Sequence, residues 1–573
     1  MYSDALMQKI LATSSSLKPQ ELKELVAASK EKHVRLEDAV LEKMPEETLY
    51  RIVAEYFKVP FVDLKGVQVR KDFLDLVPEP IATTHDIVPF DKGESLLKVA
   101  TLDPEDLQTI EFLKHKTGLE VEVHVTTPFA LHEIIKQYKR SLKAEFEDIA
   151  KVTVVGEETD QQKLRELAQD LPVVRIVESL LEHAVFEGAS DIHIEPSEQD
   201  LVVRYRVDGI LRNVMTLPKN AQAGILARVK VLSNLKLDEH RLPQDGRMKI
   251  SGANYKYSVR VSTLPVMDGE KVVMRLLSET AQALSLEQLG FNNKHLEAVR
   301  RNIAKPHGII FVTGPTGSGK TTTLYSILSL RNTPGVNIST IEDPVEYRMN
   351  GVNQSQVNPK IGFTFAVGLR TLLRQDPNII MVGEIRDGET AEIATNAAMT
   401  GHLVFATLHT NDSVTSLPRL VDMGVPRFLV AFTCNMIIAQ RLVRKVCKDC
   451  KQPYKLSKAQ LKEISELYDI EVVTAAMQRD GFLEKGETLD KVDFFRGAGC
   501  KQCSDSGYKG RVGIYEVLEI TKPIQDLISK NGSNSEIIAT ADKEGMIGIV
   551  EDGFSKAIKG VTSVEEVMRV TQE

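Results

Sequence analysis

Residues 314–321 read Gly-Pro-Thr-Gly-Ser-Gly-Lys-Thr, between the apolar run Gly308-Ile-Ile-Phe-Val-Thr313 and the helix-like Thr321-Thr-Thr-Leu-Tyr-Ser-Ile-Leu-Ser-Leu330. A buried strand that enters a glycine-rich turn and leaves as a helix demands a parallel sheet with helices on its faces. The glycines let successive backbone N–H groups curl around an anion, and the helix N-terminus adds positive potential. At this spacing Lys320 reaches β- and γ-phosphate oxygens and the Thr321 hydroxyl reaches magnesium. Gly314, Pro315, Thr316, Gly317, Ser318, Gly319, Lys320, Thr321 and Thr322 are therefore candidate nucleotide-binding residues, with ATP and Mg2+ as the implied ligands.

A chain of 573 residues divides into about three or four domains. Its net charge of −8, with both signs well mixed, lacks the basic stripe that a hold on nucleic acid requires. No apolar run reaches the roughly 18–20 residues of a membrane span. The longest mostly apolar stretch, Phe428 to Ala439, is broken by Thr433, Cys434 and Asn435. The first ten residues lack the charged and apolar regions of a secretory signal, so the expected location is the cytoplasm.

Residues 1–142 alternate short helices and strands and are expected to form a small α/β domain, followed by a polar linker at 143–170. Residues 171–283 read as a helix and then alternating strands, among them Asp191–Glu195, Leu201–Val207, Tyr255–Val261 and Lys271–Leu277, hence a mostly antiparallel sheet. From 284 to 573 short apolar strands alternate with helices, as in a RecA-like parallel sheet, with a cysteine-bearing insertion at about 444–510. The fold class is α/β and multidomain.

Turnover of a phosphate anhydride needs an acid beside the metal, a group that orients water and a cation for the developing charge. Asn378-Ile-Ile-Met-Val-Gly-Glu384 is an apolar strand ending where a magnesium-side acid would stand, and Val336-Asn-Ile-Ser-Thr-Ile-Glu342 leads into the carboxylates Glu342, Asp343 and Glu346. Gly401 to Asp412 buries a third strand between His402 and His409. Cys447-Lys-Asp-Cys450 and Cys500-Lys-Gln-Cys503 offer four thiolates, a closed tetrahedral shell for structural Zn2+ with no position left for water. Cys434, in a helix-like apolar run, is expected to pack as a small hydrophobe.

Taken in order, the phosphate loop, Thr340-Ile-Glu-Asp-Pro-Val-Glu346, Gly383-Glu-Ile-Arg-Asp387 and Gly401–Asp412 resemble the Walker A, Asp box, Walker B and His box of type II secretion and type IV pilus ATPases. Ala189-Ser-Asp-Ile-His-Ile-Glu-Pro196 and Arg241-Leu-Pro-Gln-Asp-Gly-Arg247 are similar to the same class. The resemblance implies a PAS-like sheet domain before the ATPase core, Glu342 as general base or water-orienting acid, Glu384 as Walker B acid and magnesium ligand, and His409 as γ-phosphate sensor. It also implies phosphate-facing arginines at Arg260 and Arg275, with Arg241 and Arg247 weaker candidates. The tetracysteine module resembles that of extension-type pilus ATPases and type II secretion ATPases, and its long gap between the cysteine pairs is more like the pilus assembly branch. The resemblance implies a homo-hexameric ATPase of type IV pilus assembly, peripheral at the inner membrane, with a type II secretion ATPase and an ATP-binding docking switch of little turnover as the alternatives. Its implied partners are a membrane platform protein and a cytoplasmic adaptor. The N-terminal region resembles domains that bind cyclic di-GMP in some relatives, but Arg35-Leu-Glu37 carries Glu37 where glycine would let a ligand approach. A carboxylate there would repel phosphates, so protein docking is the expected role.

Overall fold

The computed structural model describes residues 2, 4–13, 19–32, 35–138, 161–252, 255–278, 283–479, 481–500, 503 and 505–572. It divides into two compact units, Met1–Thr280 and Ala281–Glu573. Residues 143–160 of the expected linker lie outside the described residues. Residues 161–169 form the helix Gln161–Gln169, whose Leu164 and Ala168 pack with Ala227 and Leu237.

Among the described residues the first unit opens with six helices, from Asp4–Thr13 to Glu79–His85, and a three-stranded sheet of β1 (Ile87–Lys92), β2 (Leu96–Thr101) and β3 (Glu120–Val125). β2 and β3 are parallel and joined through the helix Leu107–Thr117, which is N-capped by Asp106 and ended by Gly118 at φ 67°. Glu37 is turned inward: it is buried, and it accepts a hydrogen bond from the Tyr50 hydroxyl at 2.6 Å. Its carboxylate therefore serves this core rather than facing a ligand. The helix Leu171–Phe186 meets this region through His85, whose ring lies 2.8 Å from Asp106 and 3.0 Å from Glu187. Hydrogen bonds to those two carboxylates outweigh burial and raise the His85 pKa to about 9.

Six antiparallel strands follow in the order β6-β5-β4-β9-β8-β7, comprising β4 (Asp191–Pro196), β5 (Asp200–Val207), β6 (Ile210–Pro218), β7 (Gln244–Ser251), β8 (Lys256–Val266) and β9 (Gly269–Ser278). The mostly antiparallel sheet expected from the alternation is thus antiparallel throughout. Its buried face, including Ile192, Tyr205, Val259, Val261, Met274 and Leu276, packs on Leu171–Phe186 and Gln222–Leu232.

In the second unit a seven-stranded sheet runs β12-β11-β13-β14-β10-β15-β18. Its members are β10 (Gly308–Thr313), β11 (Ile338–Glu342), β12 (Val352–Gln356), β13 (Ile379–Val382), β14 (Leu403–Leu408), β15 (Cys434–Val446) and β18 (Tyr508–Glu519). β10, β11, β13 and β14 are buried at every residue, with helices on both faces, which is why their sequences are near-continuous apolar runs. β18 departs from the parallel pattern by pairing antiparallel with β15. Residues 447–507 are inserted between these two strands, and an antiparallel pair returns the chain to where it left. The insertion holds β16 (Lys451–Tyr454) against β17 (Phe494–Gly497), and its Ile464, Met477 and Phe494 share one core with Phe554 and Val567 of the C-terminal helices Ile549–Ile558 and Val564–Gln572. Cys434 opens β15 rather than lying in a helix; it is buried as expected, and burial pushes its thiol up to about 12.

Candidate active site

β11, β13, β14 and β10 are neighbours and parallel, so their carboxyl ends share one edge of the sheet. That edge carries Glu342 at the end of β11, Gly383-Glu384 after β13, His409 after β14 and Gly314 after β10. Motifs spread over about a hundred residues are thus gathered by topology alone, where ligands of open α/β sheets bind.

The phosphate loop owes its path to glycine. Gly314, Gly317 and Gly319 sit at φ 142°, 81° and 87°. A Cβ on Gly314 would also lie 2.4 Å from the Gln440 carbonyl oxygen. The helix Lys320–Arg331 begins directly after Gly319. Lys320 donates from Nζ to the carbonyls of Gly314 at 2.8 Å and Pro315 at 3.0 Å. Burial lowers its pKa, the nearby Arg441 charge adds to this, and Glu384 opposes it. An ammonium already costly to desolvate gains most from an anionic partner.

Glu384 is largely buried and sits between two cationic or protonatable groups: Arg386 Nη2 at 2.6 Å and His409 Nε2 at 3.2 Å. Arg386 was quoted within the sequence motif but given no role; the pair makes it the group that holds Glu384 in place. The residue after His409 is anchored by hydroxyls. Thr410 donates its N–H to Thr313 Oγ1 at 2.9 Å, and its own Oγ1 lies 2.5 Å from Ser416 Oγ. His402 is separate from this cluster, with Nδ1 donating to the Ala397 carbonyl at 3.0 Å.

Glu342 stands at the expected strand end, but its carboxylate faces inward and is 2 % exposed. It accepts from Thr340 Oγ1 at 2.6 Å, Gln354 Nε2 at 3.2 Å and the Tyr325 hydroxyl. Burial raises its pKa against the pull of these donors. Tyr325 lies on the helix that follows the phosphate loop, so the carboxylate ties the Asp box to that helix. Of the other acids of this segment, Glu346 is partly buried and Asp343 exposed.

Gln440 was not foreseen as a site residue. It lies on β15, is 1 % exposed, and donates Nε2 to the Ser318 carbonyl at 2.6 Å while its own carbonyl oxygen abuts Gly314. An amide directly after the apolar run Met436-Ile-Ile-Ala439 is the sequence signal for it.

The four sulfurs of Cys447, Cys450, Cys500 and Cys503 lie within 4.8 Å of one another. Cys447–Cys500, Cys450–Cys503 and Cys500–Cys503 are 3.7, 3.9 and 3.6 Å apart. A tetrahedron with Zn–S bonds of about 2.3 Å has edges of about 3.8 Å, so the donor set fits zinc in size as well as in chemistry. The N–H groups of Cys500 and Gly507 each donate to Cys503 Sγ at 3.2 Å.

In the first unit Arg260 and Arg275 face each other across β8 and β9. Arg275 is held through Nε by Asp191 Oδ1 at 2.9 Å. Arg241 lies in the loop before β7, where Glu239 accepts from its backbone N–H at 2.7 Å.

Comparison with known proteins gives this arrangement its family. The model of the family described as "Type II/IV secretion system protein" matches residues 166–569. The chain belongs to that family. An MshEN domain model matches residues 57–145. The type IV pilus assembly ATPase PilB of Myxococcus xanthus is 38% identical over 572 residues, 98% of each chain. PilB of Pseudomonas aeruginosa is 40% identical, covering 92% of this chain and 91% of its own. The type II secretion system protein E of the same organism is 44% identical over 72% of this chain and 78% of its own. Among solved structures, the ATPase DotB of Legionella pneumophila aligns over 69% of this chain and 95% of its own, with a TM-score of 0.50 at 23% identity, a likeness of fold. As a member of the secretion family the chain has a mixed α/β fold with a tetracysteine cluster, and no helix among its described residues is long and apolar enough to cross a membrane.

Proposed function

We propose that this protein is the ATPase that powers type IV pilus assembly, acting as a homo-hexamer on the cytoplasmic side of the inner membrane. The observation that carries the reading is the match to PilB of Myxococcus xanthus along 98% of both chains, N-terminal region included. The converging Walker A, Walker B and His box residues supply the hydrolytic chemistry. ATP would be held by the phosphate loop, with Lys320 exchanging its two loop carbonyls for phosphate oxygens. The Thr321 hydroxyl and Glu384 carboxylate are hard oxygen donors suited to magnesium, which would neutralise phosphate charge when bound. Glu384, held by Arg386 and His409, is the acid at the reacting end. Glu342, through Tyr325, ties its segment to the helix after the phosphate loop, and the partly buried Glu346 of that segment would orient water. Arg260 and Arg275 would meet phosphates of a nucleotide bound by a neighbouring copy, and their planar, permanently charged groups suit that work. The tetracysteine site would take one structural zinc.

Closure and release around nucleotide would turn one rigid body against another and pass displacement to a membrane platform protein, with a cytoplasmic adaptor as a second partner. Nucleic acid has no part in this reading, and the N-terminal region would serve protein docking. A second reading, the ATPase of type II secretion, is favoured by the 44% identity to protein E over 72% of this chain. Expression in a strain lacking its pilus assembly ATPase separates the two: restored surface pili support the first reading. Restored protein export in a strain lacking protein E, without pili in the first strain, would replace it by the second.

A further inference from the structure

A primary amide buried in a strand costs stability unless both of its ends are hydrogen-bonded. Gln440 is buried and only half satisfied. Its Nε2 donates to the Ser318 carbonyl at 2.6 Å, while Oε1 is enclosed with no hydrogen-bond partner among the described residues. The position of Gln440 in the sheet shows what the amide is for. β15 pairs with β10 as far as Ala439 opposite Thr313, so Gln440 is the first residue of β15 past the point where β10 becomes the phosphate loop. On its other side the Gln440 backbone remains paired with Tyr515 of β18, which fixes the root of the side chain. Nε2 lies 3.4 Å from where a Cβ on Gly319 would stand.

The Gln440 bond holds the carbonyl half of the peptide that joins Ser318 to Gly319. In a planar trans peptide the C=O and the N–H point in opposite directions, so drawing the carbonyl onto Gln440 turns the Gly319 N–H the other way. Gly319 sits at φ 87° and has no Cβ to oppose a turnover of this peptide, so the amide selects between its two orientations. An apolar side chain of the same length would fill the space without an orphaned oxygen, but it has no donor for Ser318. We propose that Gln440 is a positioning residue for nucleotide binding, which aims the Gly319 N–H at the phosphates by holding the Ser318 carbonyl. It touches neither phosphate nor metal in this role. The proposal rests on the reading above that the phosphate loop holds ATP.

The test compares full-length wild type, Gln440→Met, Gln440→Glu and Lys320→Ala. Affinity for a fluorescent ATP analogue, steady-state turnover with Mg-ATP and melting temperature are measured on each, between about pH 8.5 and about pH 6. Gln440→Met should bind the analogue about fivefold or more weakly at every pH, with KM raised in step and kcat changed less than about threefold, the pattern of lost binding that is uniform along the reaction. Its melting temperature should stay within a few degrees of wild type, since the substitution also removes a buried, unpaired oxygen. In Gln440→Glu a carboxylate cannot donate to the Ser318 carbonyl, whereas a protonated carboxyl can. Burial and that hydrogen bond both favour the protonated form. Affinity relative to wild type should therefore recover as the pH falls in Gln440→Glu and stay flat in Gln440→Met, a profile that a merely structural glutamine would not give. Wild-type affinity in Gln440→Met, with binding lost in Lys320→Ala, would overturn the proposal. A loss in Gln440→Glu that is the same at both ends of the pH range would overturn it too, and this arm decides the matter where Gln440→Met folds poorly. Undiminished binding by Lys320→Ala would instead overturn the reading on which the proposal rests.

Discussion

Glu384→Gln should lower ATP turnover about 100- to 1,000-fold, the usual cost of removing one group that stabilises charge at a reacting centre. ATP binding should be retained, because Lys320 and the phosphate loop are untouched. Glutamine keeps the shape of the side chain and can still accept from His409, but it cannot balance Arg386 at 2.6 Å or ligate a metal with a full charge. Glu342→Gln is the informative companion. Its carboxylate is enclosed by Thr340, Gln354 and Tyr325, so an isosteric amide should cost less than about tenfold in turnover. Single-turnover rates on both variants check this. A fall in Glu342→Gln as large as that in Glu384→Gln would return the base role to Glu342.

Loss of the tetracysteine cluster should be equally plain. Metal analysis of the wild type should give about one zinc per chain, and Cys447→Ser with Cys503→Ser should give none. Structural zinc contributes apparent binding free energies of about 10–16 kcal/mol in small zinc modules. Its removal should therefore loosen the insertion, with new protease cleavage between residues 451 and 497 and a lower melting temperature. β15 runs unbroken from Gln440 beside the phosphate loop to Val446 before the first cysteine, so nucleotide affinity should weaken as well. A metal-free, protease-resistant wild type would eliminate the zinc assignment.

How much of this was legible in the sequence follows from burial. The interior strands of the second unit showed themselves because both of their faces are covered and their residues are apolar throughout; Leu403–Leu408 was read to the residue. The edge strands gave no such signal. β12 reads Val-Asn-Gln-Ser-Gln and has no fully buried residue, and β7 reads Gln-Asp-Gly-Arg-Met-Lys-Ile-Ser with only Met248 buried. Both are held by backbone pairing that side-chain patterning does not record. The chemistry divides likewise. Lys320, Glu384 and His409 were named because spacing and strand ends expose them. The inward turn of Glu342 depends on Tyr325 and Gln354, which approach only through the tertiary fold. Gln440 is 120 residues from Lys320 in sequence, and only the pairing of β10 with β15 brings its strand beside the loop.

The central claim is that this protein is an oligomeric ATP-driven motor whose phosphate loop is completed by arginines from a neighbouring copy. The most direct measurement is the magnesium-dependent ATPase rate per chain as a function of protein concentration, for wild type and Lys320→Ala. The rate should rise as copies associate and should vanish in Lys320→Ala at every concentration. A wild-type rate per chain that is independent of concentration and of assembly, or one that survives Lys320→Ala, would contradict it.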